Sequence, residues 1–256
     1  MYHEISETNH LDEKRYALPP SRFRSQVQYL RRNGYTPISL DDLHDHFILK
    51  GKRLPPKPVI VTLDDGYKDN YQNAFPILKE YNIPAILFIV SGHVGNKNNW
   101  ITNEAYPERP LMSWSEIDEM RRNGILIGSH TVHHHRLTEI SPDAARFEIE
   151  DSKKCIEDRL GIAIHHFAYP HGDMNEAVLE LVKKAGYKTA CSTRSGFNSE
   201  EANLLELRRL EVYGTDLLWQ FALKLTYGTN DGNLVLPAKY YMKRLSEKLL
   251  PNKSIT

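Results

Sequence analysis

The sequence predicts a parallel α/β fold, a sheet of short buried strands separated by helices. Three observations carry that expectation. Short runs rich in β-branched and aromatic residues alternate with segments of helical period. Several of these runs are apolar nearly throughout, as strands covered on both faces are. One kind of joint also recurs, as RRNGY at 31–35, RRNGI at 121–125 and KKAGY at 183–187. Each sets basic residues in a last helical turn, then a glycine able to take the left-handed conformation, then a strand.

Taken in order, YHEI at the N-terminus opens the strands, and a helix with Phe23, Val27 and Leu30 on one stripe follows it. PVIVTL (58–63) and AILFIV (85–90) are the next strands, and ILIG (125–128) comes after a second helix carrying Trp114, Ile117 and Met120. IHHFAY (164–169) precedes a helix with Val178, Leu181 and Val182, and KTACST (188–193) and LRRLEV (207–212) complete the set. Seven strands with intervening helices imply a parallel sheet, either open or closed into an incomplete barrel, and periodicity alone does not choose. His93 to Pro110 is polar, has two prolines and lacks a period, so it reads as a long loop on the strand-exit side. From about Tyr227 the tail suggests a docked helix at 236–250 and a frayed end. One domain is expected over 1–226, with 227–256 packed on it as an extension.

Composition narrows the function classes. The chain has 256 residues, enough to bury a sizeable core, and its 33 basic residues balance 33 acidic ones. No overall field therefore favours nucleic acid or an anionic membrane, and a neutral or small polar substrate fits better. Cys155 and Cys191 lie far apart, one in a helical and one in a strand pattern, and both are expected to be reduced and structural. The N-terminus lacks a positive region followed by an apolar one, and no apolar run is long enough to span a bilayer. As written, the protein is expected in the cytoplasm, and as an exported protein if its N-terminus has been trimmed.

Chemistry concentrates in two places. VTLDDGYKDN sets Asp64 and Asp65 directly after a buried strand, and SHTVHHHRLT places His130, His133, His134 and His135 after another. In a parallel α/β protein, sites are built at the carboxyl ends of strands. His130 and His134 are four apart, which on one helical turn puts both imidazoles on the same face. His133 points elsewhere, and His135 lies one position further round. Two imidazoles and one carboxylate suit Zn²⁺ or another first-row divalent ion and leave a position open for water.

With these residues in view, the chain resembles the polysaccharide deacetylases, the NodB-like carbohydrate esterase family 4. TLDDG is similar to that family's T-F-D-D-G motif and HTVHH to its H-[ST]-x-x-H motif, in the same order, and the likeness extends over roughly residues 1–213. The resemblance implies a distorted (β/α) barrel with fewer than eight strands. It implies Asp65, His130 and His134 as ligands of a divalent metal, Zn²⁺ first, with Co²⁺, Mn²⁺, Ni²⁺ or Fe²⁺ as alternatives, and Asp64 as catalytic base. It further implies that an N-acetylated sugar or oligosaccharide is the substrate and that the reaction removes N-acetyl groups from N-acetylhexosamine units.

Two departures from the family pattern shape the remaining expectations. Its third motif, R-x-P-Y, corresponds here to FAYPHG, so His171 stands at the tyrosine position, where the backbone N–H faces the oxyanion, and Ala168 stands for the arginine that holds the base. Arg208 or Arg209 could reach in from LRRLEV instead. No histidine follows residue 171, so the family's late histidine acid is missing, and His171 or His93 is left for that role. Alternatives are a catalytically impaired carbohydrate-binding protein that keeps the metal pocket, and a deformylase of an N-formyl sugar. His3 reads as a core or supporting residue, His44 and His46 as remote, and one of His165 and His166 as core-facing. Trp100 and Tyr106 could stack on a sugar ring.

Overall fold

The computed structural model describes residues 1–49, 52–101 and 106–232. Its main sheet has five parallel strands in the order β3-β4-β5-β6-β7, formed by Val61–Leu63, Ala85–Ile89, Leu126–Ser129, His166–Ala168 and Thr189–Cys191. A separate parallel pair joins β1 (Thr36–Pro37) to β2 (Pro58–Val59). Strand β4 is buried along its whole length and pairs with both neighbours, with Leu63 opposite Leu87 and Ile89 opposite Ser129. A parallel sheet made of such strands needs cover on both faces, and the helices supply it.

The joints formed as their residues dictate. Helix α1 (Pro20–Arg32) buries Phe23, Val27 and Leu30, α4 (Trp114–Arg122) buries Ile117 and Met120, and α6 (Glu176–Lys184) buries Val178 and Val182. Their exits pass through Gly34, Gly124 and Gly186, at φ of 73°, 91° and 78°, a region that costs other residues roughly 1–2 kcal/mol. At the α4 entrance, Ser113 and Glu116 form a reciprocal cap. Between them come α2 (Leu40–Ile48), α3 (Phe75–Glu80) and the long α5 (Pro142–Leu160), and α7 (Leu218–Tyr227) lies last. Cys155 and Cys191 are both free thiols.

The sheet curls into an incomplete barrel, as expected, but its closing elements are shorter than the sequence suggested. YHEI is not a strand: Tyr2 makes a single parallel bridge to Leu63, and Glu4 another to Ala17. PVIVTL splits at Ile60, because Val59 belongs to the small sheet and Val61 to the large one. LRRLEV keeps one bridge, Leu207 to Cys191, and there the backbone of Arg208 turns to the Asn198 side chain instead of a ladder. Met1 spans the gap, its amino group donating to Leu210 O at 2.9 Å and its carbonyl accepting from Val212 N at 3.0 Å. The expected helix at 236–250, and with it most of the 227–256 extension, lies outside the described residues. Among the described residues no helix is long and apolar enough to cross a membrane.

All five strands run the same way, so the segments leaving β3, β4, β5, β6 and β7 open at one end. Asp64, Ser91, His130, Tyr169 and Ser192 all sit there.

Candidate active site

Asp64 and Asp65 leave β3 on opposite errands. Asp64 is sealed from solvent and gripped by Arg209, whose Nη1 donates to Oδ1 at 2.7 Å and Nη2 to Oδ2 at 2.8 Å. Arg209 is fixed in turn by Nε to Ser192 O at 2.9 Å and by Nη1 to Thr62 Oγ1 at 3.2 Å. Burial works against ionisation of Asp64, but the charge and paired hydrogen bonds of Arg209, together with His130, outweigh it and hold the carboxyl below the ordinary value. Arg208 stays at the surface on Ser195 O.

Asp65 bends away with φ of 74°, and its Oδ1 stands 3.3 Å from Nε2 of His130 and 3.3 Å from Nε2 of His134. Neither contact has hydrogen-bond alignment, so this buried oxygen has no hydrogen-bond partner among the described residues. Buried oxygens rarely go without one. His130 gives its Nδ1 to Ala168 O at 2.7 Å; with that N–H donated, its Nε2 carries a lone pair. Three electron-pair donors, Asp65 Oδ1, His130 Nε2 and His134 Nε2, thus lie within 4.8 Å of one another. This is the donor set a divalent cation requires, so the residues fit the metal that the motifs imply.

The expected helical turn through the histidines is absent. After β5 the chain runs as a loop in which Thr131 and His134 take φ of 69° and 64°. Backbone bonds to neighbouring loops make the turn instead: His130 N to Ile89 O at 2.9 Å, Ser91 N to Thr131 O at 3.1 Å and Gly92 N to Val132 O at 2.9 Å. His134 N is held by Thr131 Oγ1 at 2.9 Å. Of the six described non-glycine residues with positive φ, four are Asp65, Thr131, His134 and His171. Strain of about 1–3 kcal/mol per residue is thereby concentrated where the donors converge.

His171 is also left-handed, at φ of 58°, and its ring meets that of His134 edge-on at 4.7 Å. The two hydrogen bonds of its turn are donated by Gly172 and Asp173, so neither uses the His171 N–H. Partial desolvation at the pocket wall, reinforced by His134 and Arg136, pushes its imidazole down to about 4, so it is uncharged at neutral pH. Trp100, from the long loop, stacks on His134 with ring centres 4.9 Å apart and 27° between the planes. His93 meets the edge of Trp100 at 5.3 Å. Tyr106 is turned elsewhere, its hydroxyl on Glu4. His3 packs edge-on against Tyr16, His46 Nδ1 donates to Lys52 O away from the site, and His166 is the core-facing member of its pair, bonded to Thr189 and Asp41. An apolar cavity of about 650 Å³, lined by Leu40, Leu43, Leu207 and Phe221, reaches Arg209 from behind and includes none of the three donors.

Arg209 was one of two candidates in the sequence, and the signal that separates them is alternation: Leu207 in, Arg208 out, Arg209 in. For Trp100 no periodic signal existed.

Comparison with known proteins agrees with this geometry. The family model described as polysaccharide deacetylase matches residues 51–190. YxkH of Bacillus subtilis (strain 168), itself assigned to polysaccharide deacetylation only provisionally, is 32% identical over 212 residues, covering 83% of this chain and 70% of that protein. The poly-β-1,6-N-acetyl-D-glucosamine N-deacetylase of Staphylococcus aureus (strain MRSA252) is 30% identical over 220 residues, 78% of this chain and 71% of that one. Among solved structures, the Streptococcus pyogenes deacetylase PplD, in complex with acetate, superposes with a TM-score of 0.74 at 27% identity, over 88% of this chain and 95% of PplD.

Proposed function

The chain belongs to the polysaccharide deacetylase family, and from that premise we propose that it removes N-acetyl groups from N-acetylhexosamine units of a glycan or glycan precursor, with a divalent cation, Zn²⁺ first, held by Asp65, His130 and His134. The observation that carries this reading is the buried Asp65 Oδ1, unpaired between two imidazole nitrogens at 3.3 Å. A cation bound there supplies Lewis acidity for the acyl carbonyl and for water.

The side chains do the rest. Asp64, kept ionised by Arg209, takes the proton of the attacking water, and its bidentate clamp fixes which lone pairs are free to do so. The His171 N–H, which its own turn does not use, is assigned to the developing oxyanion. Collapse of the tetrahedral centre breaks the C–N bond and the sugar amine leaves with one proton. The His171 imidazole is uncharged at neutral pH, so that proton is the one Asp64 took from water, returned directly or by way of His171. Trp100 and His171 both pack against the His134 ring and so help to hold its orientation.

The S. aureus relative's name makes β-1,6-linked N-acetylglucosamine oligomers the first substrate to try. Zn²⁺- or Co²⁺-loaded protein is expected to release acetate from them, or from chito-oligosaccharides. Asp64→Asn is expected to abolish release while the protein still takes up metal. Metal-replete protein that binds these oligomers and leaves every N-acetyl group intact would overturn the reading in favour of a binding protein.

A further inference from the structure

The loop after β5 presents histidines to two sides. His130 and His134 turn inward to Asp65, while His133 and His135 turn outward, with 44% and 55% of their side-chain surface exposed. Beneath the outer pair lies Glu148 of α5, whose side chain is only 3% exposed. Its Oε2 accepts from the backbone N–H of Val132 at 2.9 Å and of His133 at 2.8 Å, which fixes the plane of the carboxylate. Its Oε1 is thereby aimed outward, 2.7 Å from Nδ1 of His133 and 3.3 Å from Nδ1 of His135. Phe147 lies nearly parallel to the His133 ring, at 6.3 Å and 17°, and His93 stands edge-on to its other neighbourhood at 6.1 Å.

We propose that His133, His135 and Glu148 form a second cation site, distinct from the Asp65 cluster, for a first-row divalent ion such as Zn²⁺. A tether for the loop needs one imidazole N–H on one oxygen, and His133 alone provides it. The structure instead brings a second imidazole nitrogen to the same oxygen, and the three donor atoms lie within 4.8 Å of one another. Two nitrogens and one carboxylate oxygen are a borderline-soft set that Zn²⁺, Ni²⁺ or Cu²⁺ accepts, whereas Mg²⁺ and Ca²⁺ prefer oxygen alone. The carboxylate is pre-oriented, His133 is flanked by rings, and the outward side is open to water. Both sites offer three donors, and the solvent exposure of His133 and His135 makes this the weaker of the two. Because His134 sits between His133 and His135 in sequence, an ion on the outer set ties the loop that carries an inner donor down onto α5.

The inference does not rest on the proposed activity, and Zn²⁺ titration of metal-stripped protein tests it by calorimetry and chelator competition. Wild type is expected to bind two equivalents, the second more weakly. His135→Ala, which leaves the His133–Glu148 contact in place, is expected to lose the weaker equivalent by at least tenfold in affinity and to keep the tighter one. His135→Gln serves as a second variant of similar size, with the same expectation. Asp65→Asn should do the reverse, losing the tighter equivalent and keeping the weaker. A single equivalent lost in Asp65→Asn and unchanged in both His135 variants would overturn the outer site and leave the catalytic reading standing. A single equivalent lost only in the His135 variants would support the outer site and remove the inner one.

Discussion

Arg209 holds Asp64 through two parallel hydrogen bonds, 2.7 Å and 2.8 Å long, with both side chains buried. The two residues are 145 apart in sequence and join the first strand of the sheet to the segment after its last. Their pairing therefore ties the two edges of the curled sheet together at the end where the donors gather.

Removing the arginine should cost stability first. Arg209→Met leaves a buried carboxylate without its charge partner, a change that typically costs 3–5 kcal/mol. Asp64→Asn added to it should recover part of that loss, which urea denaturation of both variants checks. Arg209→Lys keeps the charge and loses the fork. Arginine holds the Asp64 carboxyl below its ordinary value, so a weaker partner lets it titrate higher, and the acidic limb of the kcat/KM profile should move to higher pH. An unshifted limb with normal turnover would show that the clamp does not set the ionisation of Asp64.

How much of this was legible in the sequence depends on which force sets each feature. The strand-and-joint pattern was readable because burial and glycine conformation are local: Gly34, Gly124 and Gly186 all take positive φ. The convergence of Asp65, His130 and His134 followed from two motifs at the ends of parallel strands. The donors converge without the helical turn that their spacing suggests, because backbone bonds from Ser91 and Gly92 bend the loop and long-range pairing leaves no periodic trace. Arg209 was ambiguous for a related reason: with one bridge at Leu207, the parity that turns one arginine inward is set by a partner strand. Trp100 comes from an aperiodic loop and was legible only as an aromatic that could stack on something. It stacks on His134.

Gly92 offers a test of that loop geometry at a residue that donates nothing to the cluster. A Cβ there would lie 2.6 Å from Val132 O and 2.9 Å from Val132 Cγ1, closer than such atoms come. The backbone of Gly92 is not left-handed, so Gly92→Ala is resisted only by this contact, and the 131–134 segment must shift to admit a methyl group. A stability loss of about 1–3 kcal/mol is expected from the overpacking. Affinity for Zn²⁺ should fall with it, because His134 moves. Thermal melts with and without Zn²⁺ give both quantities, and a variant destabilised equally in both would show that the loop shift spares the donors.

Asp69 predicts a pH effect of opposite sign to Asp64. Burial pushes its carboxyl up to about 7, against the lowering by Ile5 N–H, which donates to Oδ1 at 2.9 Å, and by Arg109. An acid whose folded value is raised binds more protons folded than unfolded between the ordinary value near 3.9 and 7, so stability falls as pH rises through that window. Asp69→Asn keeps an acceptor for Ile5 and Asn70 and removes the titration. Its advantage over wild type should be absent at about pH 4, grow to about pH 7 and stay level above. Denaturation midpoints at pH 4, 6 and 8 decide it, and parallel curves would place the Asp69 carboxyl at an ordinary value.

Trp100 should matter to metal uptake without donating an atom. A metal-bound histidine usually gives its second nitrogen to a hydrogen-bond acceptor, and His130, one of the proposed ligands, has such an acceptor in Ala168 O. The Nδ1 of His134 is buried and has no such partner among the described residues, so its ring is oriented by contact with Trp100 and His171. Loss of a hydrogen-bonding supporter costs about 10–100-fold in affinity or activity, and a ring contact belongs at the lower end of that range. Trp100→Ala is expected to weaken Zn²⁺ binding about tenfold by chelator competition, whereas Trp100→Phe keeps the stack and most of the affinity. Oligosaccharide KM separates this from a sugar-stacking role. If Trp100 acts on His134, the alanine variant regains turnover in excess Zn²⁺ with KM little changed; if it acts on the sugar, KM rises however much Zn²⁺ is supplied, and metal affinity stays at the wild-type value.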